Sequence, residues 1–221
     1  MKKVAVLLAL AISTISFTSC RKHVLRGGGS IVTETRSLAD FDEIISNGSI
    51  DVEVLPSNRD EVRITGYQNL VSAFKTDVSN KRLYLEYDDQ YINIKQDNIK
   101  LTVYTTDMTV FTLNGSGDVA IPQGANTTYM ELKVTGSGNI RMNGGDSLQT
   151  LKIRVNGSGN VYTRDTDAKN VEATVTGSGD ITLTAHESLD ARISGSGNIN
   201  YWGNPSIVTV NITGSGKVRK Y

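Results

Sequence analysis

Catalysis needs acids, bases or nucleophiles brought together, and the carboxylates are the first candidates in this chain. Asp88 and Asp89 in EYDDQY are adjacent, so an extended backbone sends them to opposite faces. Asp165 and Asp167 in TRDTDAK share a face but sit in turn-type sequence. Asp118 and Asp180 each follow a Gly-Ser-Gly triplet at equivalent positions. All six read as solvated turn residues. His23 and His186 are the only histidines and Cys20 is the only cysteine. That leaves no His-based triad and no His/Cys metal set. The triplets are not phosphate loops, because neither Lys-Ser/Thr nor a helical pattern follows them. Nor do they make a GGxGxD calcium repeat, since Asp follows only twice and the period is too long. The expectation is a chain with no catalytic site, no metal and no cofactor.

Aromatic residues are the remaining group with binding chemistry. Tyr84, Tyr87, Tyr91, Tyr104, Tyr129, Tyr162, Tyr201 and Trp202 would form a sugar-stacking surface if several faced outward together. Alternation from Ile199 points Tyr201 inward and Trp202 outward. These two are the candidate glycan contacts. The plainer reading has Trp202 packing over the end of its coil at the WGNP turn.

The elements that position these residues follow from a repeat. Gly-Ser-Gly occurs six times, with first glycines at Gly115, Gly136, Gly157, Gly177, Gly195 and Gly214, at gaps of 21, 21, 20, 18 and 19 residues. The last glycines are Gly117, Gly138, Gly159, Gly179, Gly197 and Gly216. Two residues before each triplet stands Leu, Val or Ile, and two residues after it stands Val or Ile. This period of two is the strand signature. It extends upstream through Met130, Leu132 and Val134; Leu151, Ile153 and Val155; Val171, Ala173 and Val175; Leu189, Ala191 and Ile193; and Val208, Val210 and Ile212. A unit of this length cannot bury one apolar face alone, but stacked units can. The pattern therefore predicts an all-β fold, a parallel β-helix (β-solenoid) with about 20 residues per coil. The rival is an antiparallel sandwich or barrel with evenly spaced turns.

In that frame the twelve triplet glycines are structural corners. They leave room where a neighbouring strand comes close and permit positive φ. The outward residues Asn114, Thr135, Asn156, Thr176, Ser194 and Thr213 would form one polar ladder, and the triplet serines a second. Residues 111–221 hold the coils. Residues 36–110 lack the triplet but alternate in SIDVEVL, EVRITG, RLYLEY, YINIK and IKLTVYT, and are expected to start the solenoid and cover one open end. SNGSIDV looks like a degenerate corner, and NLVSAFKTDV reads as a strand, with a short helix as the alternative. At the far end, Lys217, Arg219 and Lys220 would blunt the edge by charge.

The N-terminus has its own logic. MKKVAVLLALAISTISFTSC carries two lysines, an uncharged apolar run and small residues before Cys20, the layout of a secretory signal. FTSC resembles a bacterial lipobox, in which cleavage before the cysteine precedes its lipidation. Residues 1–19 are thus read as signal, and 20–35 as lipidated Cys20 with a flexible tether. The partner at this end is the lipid bilayer. Removal of Lys2 and Lys3 leaves 21 Lys and Arg against 23 Asp and Glu, so no basic excess recruits nucleic acid.

RSLADFDEIISNGSIDVEVLPSNRDEVRITG, the TLNGSGDV-type repeats and INYWGNPSI before a final triplet resemble the bacterial auto-transporter adhesin family whose domain is called head GIN, over residues 36–221. The resemblance implies a right-handed parallel β-helix in an exported, Bacteroidetes-type lipoprotein of the outer membrane, on its periplasmic or outer face. It carries over no catalytic residues. The expected function is a non-enzymatic, adhesin-like binding or scaffold module with a glycan or protein ligand. The alternatives are a polysaccharide-processing β-helix enzyme and an envelope component acting through a protein partner.

Overall fold

A computed structural model describes residues 23–105, 107–122, 127–144 and 147–221. The segment expected as a signal, and Cys20, lie outside the described residues. The chain winds into a parallel β-solenoid of about 21 residues per turn. Each coil lays one strand on a first face, turns at Gly-Ser-Gly, and lays a second strand on a second face. On the first face Val110–Gly115, Tyr129–Gly136 and Leu148–Gly157 pair in parallel, followed by the later halves of Asn160–Gly177 and Ile181–Gly195, and then Ile207–Gly214. In this register every first triplet glycine pairs with the next, from Gly115 to Gly214. On the second face Asp118–Ile121, Asn139–Met142 and the earlier halves of the two long strands stack beneath Asn198–Trp202 and Lys217–Lys220.

The alternating aliphatics meet inside. Row by row, Phe111, Leu132, Ile153, Ala173 and Ala191 are register partners, and all are fully buried. Side-chain volume falls along this row as the coils shorten, so the smaller circuit is filled without overpacking. Burying each Leu, Ile or Phe stabilises by about 1.5–3 kcal/mol, and a modest aliphatic set repeated over many coils is enough to close one core.

The corners explain the triplet. The six first glycines have φ between +117° and +147°, a region in which L side chains are strained. A Cβ on Gly157 would also stand 2.3 Å from the carbonyl oxygen of Gly136, and one on Gly159 would stand 2.1 Å from that of Gly138. The close approach is productive: the Gly136 carbonyl accepts from the N–H groups of Ser158 at 2.9 Å and Gly159 at 3.0 Å. The serine between them is exposed and carries its bond through the backbone.

The N-terminal region both starts the solenoid and covers its end. Glu43–Gly48 and Asp51–Pro56 are already a coil, paired in parallel with Val110–Gly115 and Asp118–Ile121. They turn at Gly48, whose φ is +114°. The chain between this coil and the next makes an excursion that closes the end. Glu61–Tyr67 runs antiparallel to both Lys100–Thr105 and Ile31–Ser37, and Phe74–Ser79 runs antiparallel to Arg82–Tyr87. The segment expected as a flexible tether through residue 35 is therefore largely strand: Ile31–Ser37 completes this sheet, and His23–Arg26 pairs in parallel with Tyr91–Lys95, so backbone pairing holds what composition alone read as a spacer. Arg36 ties these two groups together, donating to the carbonyls of Phe74 at 2.7 Å and Val71 at 2.9 Å. The segment expected as one strand divides: Gln68–Ala73 is a helix and Phe74–Ser79 a strand. Leu70 and Val71 are adjacent and both buried. A helix lying over the end buries both, whereas neighbouring strand residues point to opposite sides.

Candidate binding groove on the second face

The two outer faces differ in chemistry. The first is neutralised by ion pairs: Arg154 with Glu131 at 2.7 Å, Lys133 with Glu131 at 3.1 Å, and Lys152 with Glu172 at 3.3 Å. The second holds a groove of about 480 Å³ built from several coils. Its floor follows from the register. The row two residues past each corner exit runs Glu53, Ala120, Arg141, Tyr162. Ala120, with its single methyl, leaves a depression between the longer side chains of Glu53 and Arg141. Lys100 and Thr102 enter from the strand beside Asp51–Pro56.

One wall is a hydrogen-bonded ladder at the corner exits. The Asp51 carboxylate accepts the backbone N–H of Asp118 at 2.8 Å, and the Asp118 carboxylate accepts the Asn139 amide at 2.8 Å. Asn139 in turn accepts the Asn160 amide at 2.8 Å, Asn160 accepts the N–H of Asp180 at 2.9 Å, and Asp180 accepts that of Asn198 at 2.7 Å. Stacking thus brings together acids far apart in sequence, which no linear spacing shows. Asp51 and Asp118 already serve as ladder acceptors, and their oxygens toward the groove remain acceptors. On the floor the Arg141 guanidinium lies 4.8 Å from the centroid of Tyr162, so cation and ring hold one another in place. The groove therefore offers acceptors from Asp51, Glu53 and Asp118, donors from Lys100 and Arg141, and one aromatic edge, all mounted on rigid strands.

The candidate glycan contacts lie elsewhere. Trp202 is stacked on Tyr221, with ring centroids 5.0 Å apart, and is covered by the Arg164 guanidinium at 4.5 Å. Its π surface is engaged within the protein. Tyr201 is partly buried against the core. The polar ladder from Asn114 to Thr213 is in register and exposed. Asn114 donates to Asn47 at 3.0 Å at its start, but the row bonded from coil to coil is the exit row. Asp88 is held below the usual carboxylate range by the backbone N–H of Gln90 and by Lys75. Asp167 meets His186 at 2.9 Å. Neither lies in the groove. Among the described residues, no three His, Cys, Asp or Glu side chains converge as a metal site. The groove residues were reachable from the sequence once the triplets set the register: two positions past each exit read Ala120, Arg141 and Tyr162. Lys100 was not, because it arrives through the excursion.

No curated protein sequence matches the chain. Several solved structures share its fold. A "putative adhesin" from Bacteroides fragilis superposes with a TM-score of 0.74 at 24% identity, over 89% of this chain and 100% of that one. A "putative lipid binding protein" from Parabacteroides distasonis gives 0.62 at 23%, over 90% and 100%. A "putative adhesin" from Parabacteroides merdae gives 0.65 at 17%, over 90% and 99%. The family model described as "Putative auto-transporter adhesin, head GIN domain" matches residues 40–205. The stacked triplet corners and this match over most of its length make the chain a member of the head GIN adhesin family.

Proposed function

We propose that the protein is a cell-envelope binding module that captures a carbohydrate ligand in the second-face groove without transforming it. The single observation that carries this reading is the groove itself. Planar acceptors and donors from Asp51, Glu53, Asp118 and Arg141 alternate around a shallow floor, and Tyr162 supplies an aromatic edge. Polyhydroxylated ligands are recognised by such convergent polar groups on a rigid frame. The adhesin-like family and the signal-plus-Cys20 layout support a lipid-anchored, exported protein that meets its ligand at the bacterial envelope. Arg141 stands where a ligand hydroxyl or acidic sugar would dock, and Glu53 opposite it accepts from hydroxyls.

The test uses residues 21–221 on an array of polysaccharides and host glycans, scored for both retention and product release. Retention without release is expected. Arg141→Ala and Glu53→Ala are expected to weaken it while leaving thermal melting unchanged, because both side chains are exposed. Product release from any retained polysaccharide would replace the binding reading with an enzymatic one.

A further inference from the structure

The two ends of the solenoid are finished differently. At the N-terminal end, the helix, the antiparallel strands and Arg36 close over the core. At the other end, among the described residues, Ile207–Gly214 pairs with the preceding coil on one side only. Its inward row, Val208, Val210 and Ile212, is 43%, 46% and 40% exposed. The residues directly below, Leu189, Ala191 and Ile193, are 1%, 0% and 3% exposed. Val208, Val210 and Ile212 thus continue the core rows, and no layer of the described residues covers them. The strand also presents a row of open backbone donors and acceptors. Its sequence, IVTVNITG, carries no charge and no proline, the devices that normally blunt an edge.

We propose that this end docks a second copy of the same chain, with the two Ile207–Gly214 strands antiparallel about a two-fold axis through Val210. The pattern is self-complementary under that operation. Rotation about an axis across the end keeps the inward side inward. Val210 then meets its own equivalent and Val208 meets Ile212, so the two cores join as one. On the outside, Thr209 meets Asn211, two neutral groups that both donate and accept. No charge is buried on this face. A head-to-tail stack is not available, because the opposite end is already closed. The same rotation brings the neighbouring terminal strand, Lys217–Lys220, toward its equivalent. There Lys217, Arg219 and Lys220 confront three like charges, which opposes association.

That opposition gives the interface a signature. Association is expected to tighten as salt rises, because screening relieves the repulsion while the apolar contact persists. The experiment is sedimentation velocity on the chain from residue 21, over a concentration series at about 0.05 M and about 0.5 M NaCl. A dimer whose dissociation constant falls several-fold at the higher salt is expected. Val210→Lys, which puts an unpaired charge on the axis, is expected to weaken the dimer by about tenfold or more while the far-ultraviolet circular dichroism is retained. Lys217→Glu is expected to strengthen it and to flatten its salt dependence, a gain that misfolding does not produce. A monomer at every concentration and salt overturns the proposal. So does a dimer that Val210→Lys leaves intact, which would place the contact elsewhere.

Discussion

Along one edge of the solenoid every coil from Val110 onward turns at Gly-Ser-Gly, and along the other the last three coils among the described residues close in different ways. The first edge is built of Gly-Ser-Gly corners, each with its carbonyl accepting two N–H groups from the next. On the opposite edge, Asn160–Gly177 and Ile181–Gly195 run on as continuous strands, with register shifts between Thr163 and Asp167 and between Ala168 and Asn170. The last coil turns there instead at Gly203, with Asn204 and Pro205 following. The repeated edge is the one where backbone lies against backbone, with no room for a side chain. The variable edge is the one where circuits of different length are closed. Repetition in this sequence therefore reports a packing constraint, and the chemistry of binding belongs to rows that do not repeat.

Substitutions separate the two edges. Gly157→Val adds branched carbon where φ is +129° and a Cβ would meet the Gly136 oxygen at 2.3 Å. A loss of about 4 kcal/mol or more is expected, because backbone above and below cannot withdraw. Urea unfolding measures it, and a loss below about 1 kcal/mol would break the argument for the corner. Gly203→Ala tests a place where, among the described residues, the variable edge is as tight. Its φ is +93° and a Cβ would stand 2.1 Å from the Ala185 oxygen, so a loss of about 2–3 kcal/mol is expected. Asn160→Ala removes a ladder rung that both donates to Asn139 and accepts from Asp180. About 1–2 kcal/mol is expected by thermal melting. Gly144→Asn sharpens the contrast at the small end. Its φ is +69° and nothing lies within 4 Å of a Cβ. Asn adopts that conformation readily, so the change is expected within about 0.5 kcal/mol of zero.

Much of this architecture was legible in the residues. The triplet spacing defines the coil, and alternation around it names the inward rows from Met130 to Ile193. It does so because one physical constraint, a backbone-to-backbone stack, acts identically on every coil. The helix over Gln68–Ala73 was less accessible. Its signal is the adjacent burial of Leu70 and Val71, which depends on an open end that only the fold creates. The early coil was legible as the degenerate corner in SNGSIDV, but its ladder partner was not, because the excursion separates Asp51–Pro56 from its neighbour Asp118–Ile121. The groove was partly legible. Arg141 and Tyr162 fall in one row by register alone, whereas Lys100 joins them on a strand that returns from the excursion to lie parallel beside Asp51–Pro56. Trp202 stands out in the sequence as the lone tryptophan, yet Arg164 and Tyr221 occupy it, and the aromatic that faces the groove is Tyr162.

The pairing of Gly177 with Gly195 means that residues 178–195 make one complete circuit. Cutting them out would join Gly177 to Ser196 with every remaining row still aligned, and would leave Glu53, Ala120, Arg141 and Tyr162 untouched. Removing half as many residues would put aliphatics outside and polar groups within. The molecule's reach is therefore quantised: it can grow or shrink only in steps of about 4.8 Å, one strand spacing at a time. A lineage can adjust how far such a rod extends without redesigning the surface it carries.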